Sequence, residues 1–95
     1  MPLIAAALVE DDGTFISQRG FTGIVHVPAS GLYVLTLANP PADLNNLVVE
    51  VTQGGTVAGQ EAASFGLPDL INVRTFDAAG VLTDRIFMIT VYDLT

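Results

Sequence analysis

The chain has 95 residues, of which 51% are hydrophobic and only 14% charged, with ten acids against three arginines and a net charge of −7. That length fits one domain over residues 1–95, and a domain so short cannot hide so much apolar surface within itself, so the excess is expected in a subunit interface. The acidic balance works against nucleic acid and against anionic membrane surfaces, and the lack of cysteine removes disulfides and thiolate chemistry.

Apolar residues alternate with period two, and turn residues interrupt them every eight to twelve positions, which predicts an all-β fold. The amino-terminal run LIAAALV predicts a strand over Leu3–Val9 with small residues at its centre. It has no basic residue before it and acids directly after it, so it is a poor signal peptide and too short to span a bilayer. Synthesis in the cytoplasm without export is expected. Glu10-Asp11-Asp12-Gly13 follows as the densest acidic cluster. Its spacing does not match a calcium loop, so a charged turn is the simpler reading, with Asp11 and Asp12 kept as weak metal candidates.

Strands are then predicted over Thr14–Gln18 and Gly23–Val27. The second contains His26, the one histidine, read as a surface or hydrogen-bonded structural residue, or in a trimer as one stacked against its symmetry mates. Pro28-Ala29-Ser30-Gly31 is a turn, followed by a strand over Leu32–Ala38 with Tyr33, Leu35 and Leu37 on one face and Leu32, Val34 and Thr36 on the other. After Asn39-Pro40-Pro41 comes Leu47–Gln53, where Leu47, Val49 and Val51 oppose Val48, Glu50 and Thr52. Gly54-Gly55 predicts a two-residue hairpin turn into a strand over Thr56–Ser64, with Glu50 and Glu61 both pointing outward.

Beyond Gly66-Leu67-Pro68, strands are predicted over Leu70–Phe76 and Ile86–Tyr92. Between them, Asp77-Ala78-Ala79-Gly80 suits a turn closed by the Asp77 side chain with Gly80 at positive φ. Asp84 would open the return strand of a hairpin, with Arg74 or Arg85 pairing the two acids. Asp77 and Asp84 are also weak metal candidates. The last strand sets Phe87, Ile89 and Val91 against Ile86, Met88, Thr90 and Tyr92.

Eight short strands with mixed connections predict a single antiparallel β-sandwich, jelly-roll-like, with a ligand-holding barrel as the alternative. Strands that are apolar on both faces nominate Val34, Val48, Met88, Thr90 and Tyr92 as interface residues. No nucleophile elbow, P-loop or dinucleotide fingerprint occurs. No catalytic residue, cofactor or firm metal site is predicted, and a metal-dependent hydrolase or ligand-binding barrel is the rival from the chemical class.

GLYVLTLANP, and later INVRTFDAAGVLTDRIFMITVYD, carry a family resemblance. From Phe21 onward the chain resembles the small β-sandwich domains that end bacteriophage tail fibres. Gly31, Tyr33, Leu35 and Leu37 match the first element; Val73, Arg74, Thr75, Phe76, Asp77, Gly80, Asp84, Phe87, Ile89 and Val91 match the second. The resemblance implies a jelly roll of the tumour-necrosis-factor or complement-head type, a homotrimer, and a role in virion assembly or attachment to a host surface glycan or receptor. No fibrous shaft precedes the matched residues. That leaves a tip separated from its shaft, or a free-standing trimer such as a capsid decoration protein bound to other virion proteins, which the start at Met1 favours. For glycan binding the loops Ala38–Asn46 and Ala78–Asp84 are candidates; Tyr33, Phe76 and Tyr92 are the aromatics able to stack on a sugar, with core packing the preferred reading of each.

Overall fold

The computed structural model describes residues 2–41, 43–54, 59–66 and 69–94. Its strands are β1 (Leu3–Val9), β2 (Phe15–Arg19), β3 (Phe21–His26), β4 (Leu32–Leu37), β5 (Leu47–Gln53), β6 (Gly59–Gly66), β7 (Leu70–Asp77) and β8 (Phe87–Asp93), with one 3-10 turn over Leu44–Asn46. They form two four-stranded antiparallel sheets, β2-β1-β8-β5 and β3-β4-β7-β6. The eight-stranded β-sandwich expected from periodicity is the fold. As in a jelly roll, the first strand pairs with the last; unlike one, it keeps the hairpins β1–β2, β3–β4 and β6–β7 each within a single sheet.

The core follows from the alternation. β1 buries Ala5, Ala7 and Val9; β4 buries Tyr33, Leu35 and Leu37; β7 buries Ile71, Val73 and Thr75; β8 buries Phe87, Ile89 and Val91. Each aliphatic side chain taken fully from water contributes about 1.5–3 kcal/mol, so these four strands carry most of the sandwich's cohesion. The antiparallel β1–β8 ladder runs from Leu3 opposite Tyr92 to Val9 opposite Phe87. A bond from Asp93 N–H to Pro2 O closes its terminal end.

Three expectations need correction. The strands flanking Gly54-Gly55 do not pair as a hairpin: β5 pairs with β8 and β6 with β7, in different sheets. Gly54 N–H bonds Ile86 O instead, and residues 55–58 lie outside the described residues. Nor does Asp84 open a return strand. After Asp77, residues 81–83 fold back only briefly on β7, through Phe76 opposite Leu82 and Thr83 N–H to Thr75 O. The chain then crosses to the other sheet as β8. Glu61 does not point outward: it shares a row with fully buried Thr75, and its Oε1 is buried with no hydrogen-bond partner among the described residues. Glu50 is exposed as expected.

Candidate functional site

Three connections meet at the end of the sandwich where Val9 lies opposite Phe87: the acidic loop after β1, the β3–β4 turn, and the crossing from β7 to β8. Each is shaped by its own residues. Gly13 N–H bonds Glu10 O, and the Asp12 carboxylate takes both the N–H and the hydroxyl of Thr14. These two bonds, the hydroxyl's first, hold Asp12 below the usual carboxylate range. In the β3–β4 turn Ser30 N–H bonds Val27 O, Pro28 sits second and Ala29 third, and Ala29 is the one non-glycine residue at positive φ among the described residues, +64°. Proline followed by positive φ is the type II arrangement, where glycine is the usual third residue. In the third connection Asp77 behaves as its spacing predicts. Gly80 N–H closes on Asp77 O, while Ala79 and Val81 N–H bond the Asp77 carboxylate, with Gly80 at φ +84°.

Asp84 ties the second and third of these together. Its Oδ2 accepts from Ala29 N–H at 2.7 Å and faces His26 Nε2 at 3.0 Å, and its Oδ1 accepts from Gly31 N–H at 2.8 Å. Burial pushes the Asp84 carboxyl up, but the N–H groups of Gly31 and Ala29 together with His26 more than reverse this and hold it below the usual range. Backbone N–H groups thus hold the Asp77 and Asp84 carboxylates, and Asp84 also meets a histidine. Gly31, at φ +66°, leaves no room for a side chain: a Cβ there would stand 2.8 Å from Thr75 O and 2.9 Å from Thr83 N.

His26 is the hydrogen-bonded structural residue that the sequence offered as one reading, and not a surface residue open to a symmetry mate, since its side chain is only 2% exposed. Its Nδ1 lies 2.7 Å from Leu32 O, so both ring nitrogens face oxygen atoms. The ring stacks on Tyr33 with centroids 4.0 Å apart and planes 6° apart, and Tyr33 meets Phe87 edge-on at 4.9 Å. The Tyr33 hydroxyl donates to Asp11 O at 2.7 Å and accepts from Arg85 N–H at 3.2 Å. Burial, reinforced by the Asp84 charge, pushes the Tyr33 phenol up to about 12. Tyr33 is therefore the core residue that its alternation predicts.

A shallow pocket of about 230 Å³ opens over this cluster, lined by Asp11, Asp12, His26, Pro28 and Asp84. The fold thus gathers three of the four weak metal candidates and leaves Asp77 to its own turn. Both Asp84 oxygens and Oδ1 of Asp12 are engaged in internal bonds, and no group of three or more acids or histidines able to hold a metal occurs among the described residues. The two candidate glycan loops leave opposite ends of the sandwich. Ala38–Asn46 follows the Leu37 end of β4, by Leu70, while Ala78–Asp84 leaves the opposite end of β7. They do not share a site.

The interface nominees divide in two. Val48, Met88, Thr90 and Tyr92 lie on the outer face of the β2-β1-β8-β5 sheet, where Ala6 and Leu8 join them. Val34 lies on the outer face of the other sheet, beside Val25, which is 67% exposed. A shallow depression of about 410 Å³ follows the first face, with Ala6, Leu8, Ser17, Arg19, Met88 and Thr90 along it. Comparison with protein-family models, curated proteins and solved structures returned no match.

Proposed function

We propose that the chain is a non-enzymatic assembly module of a virion, of the tail-fibre-tip or capsid-decoration kind, working through a sheet face rather than a pocket. The observation that carries this reading is the outer face of β2-β1-β8-β5, which sets Leu8 and Met88 in one row and Tyr92 and Val48 in another, with Ala6 and Thr90 between them, on a protein with net charge −7. The polar end cluster supports it from the other side. The imidazole, carboxylate and phenol that acid–base chemistry would recruit are engaged in bonds that pin loops to strands. Self-association belongs to this reading, and the resemblance to tail-fibre tips implies three copies.

The test is the composition of particles. Mass spectrometry of purified virions from cells carrying the gene is expected to find this chain at a fixed copy ratio to a capsid or tail protein. Finding it only in the soluble lysate would overturn the assignment. Neighbouring capsid genes would then distinguish decoration from tail genes and attachment.

A further inference from the structure

The outer face of β2-β1-β8-β5 has a charge order that says what can cover it. Register places Arg19, Ala6, Thr90 and Glu50 in one row across the four strands, and Ser17, Leu8, Met88 and Thr52 in the next. The middle of the first row is small, its two borders carry opposite charges, and both Arg19 and Glu50 are exposed. With neighbouring strands 4.7–4.9 Å apart, the two charges stand roughly 14 Å from each other.

We propose that this face binds a second copy of the same chain about a two-fold axis that runs parallel to the strands, between β1 and β8. The proposal rests on the assembly reading above and replaces its threefold contact with a two-fold one. Such an axis exchanges β2 with β5 and β1 with β8 while keeping each row opposite itself. Arg19 then meets the partner's Glu50, and Glu50 meets the partner's Arg19. Ala6 packs on the partner's Thr90, and Leu8 on the partner's Met88. The contact is isologous and closes with two copies. The small residues in the first row let the faces approach toward the roughly 10 Å separation of stacked sheets. A two-fold axis across the strands along that row would set Arg19 against the partner's Arg19 and Glu50 against the partner's Glu50, so the charge order selects one axis and penalises the other. An unrelated acidic or basic surface fits less well, because each meets one border of its own sign.

The experiment is sedimentation of the full chain over a range of concentrations. The native chain is expected to reach the mass of two copies. Glu50→Arg alone and Arg19→Glu alone are each expected to raise the dissociation constant at least about tenfold, because a like pair then faces across both borders. The double exchange, Arg19→Glu with Glu50→Arg, is expected to restore two copies. Both side chains are exposed, and circular dichroism of each variant checks that the sandwich is intact. A three-copy species indifferent to the exchange would overturn the two-fold while leaving the assembly reading in place. A single-copy mass at every concentration would overturn both.

Discussion

Asp84 and His26, 58 residues apart in the chain, meet through a 3.0 Å contact that joins the β7–β8 crossing to the end of β3. The same carboxylate holds two backbone N–H groups of the β3–β4 turn. Asp84→Ala removes all three acceptor contacts at once. Bonds to a charged group are worth about 1.5–3 kcal/mol each, and partial exposure of the carboxylate lowers the sum. A loss of about 2–4 kcal/mol in urea-unfolding free energy is expected, with little change in the slope against urea.

Acid should undo the same contacts. The Asp84 carboxyl is depressed in the folded chain, so it adds stability that is complete above the unfolded carboxylate value, about 4. That stability is lost as pH falls through the lower folded value. Melting temperature followed from pH 6 to pH 2 should show a steep acid limb in the native chain. The limb should flatten in Asp84→Asn, and an equally steep limb in that variant would show that other carboxylates control it.

Alkali acts on the opposite neighbour of His26. The Tyr33 phenol, pushed up to about 12, stays protonated in the folded chain after the unfolded chain has begun to ionise near 10. Stability is full below the unfolded value and falls as pH rises from there through the folded one. Tyr33→Phe keeps the ring stack but gives up the bonds to Asp11 O and from Arg85 N–H. It should cost about 1–2 kcal/mol at neutral pH and delay the alkaline loss.

The two sides of the β3–β4 turn should respond in opposite directions. Ala29 holds a left-handed backbone in open surroundings, so Ala29→Gly relieves strain and is expected to gain about 0.5 kcal/mol after the extra freedom of the unfolded glycine is counted. At Gly31 the left-handed backbone coincides with contacts under 3.0 Å to Thr75 O and Thr83 N. Gly31→Ala should therefore cost more than about 2 kcal/mol. Thermal melts of the two variants side by side check both signs.

Cations offer a separate check on the acidic pocket. With Asp12 occupied by Thr14 and Asp84 by three donors, added calcium or a chelator is expected to leave the melting temperature unchanged. A calcium-dependent rise of several degrees would reopen the metal reading of Asp11, Asp12 and Asp84.

The sandwich was legible because its central strands are unambiguous. In β4 and β8 bulky apolar residues recur at every second position, and the structure buries those sets. The Asp77 turn was legible because its bonds are local, within four residues. The Gly54-Gly55 hairpin failed because turn chemistry states where a chain can reverse, and not whether the next strand stays in the same sheet. Of the two readings of His26, the hydrogen-bonded structural one holds and the surface one does not, for a related reason. Val25 and Val27 look like the buried positions of β3, yet they are 67% and 64% exposed. The signal lay in the neighbouring hairpin: the turn sets His26 opposite Tyr33, and Tyr33 belongs to a clear core alternation. The bonds of Asp84 to His26, Ala29 and Gly31 are long-range and leave no periodic trace.

The pairing of first strand with last has a mechanical consequence. In the β1–β8 ladder Leu3 lies opposite Tyr92, so the ends of the two strands emerge side by side. A force pulling those ends apart would load the Leu3–Tyr92 end first and peel the ladder open one pair at a time, instead of shearing all its bonds together. Tension is therefore poorly borne along the chain. Load carried through the broad sheet face would spare that seam.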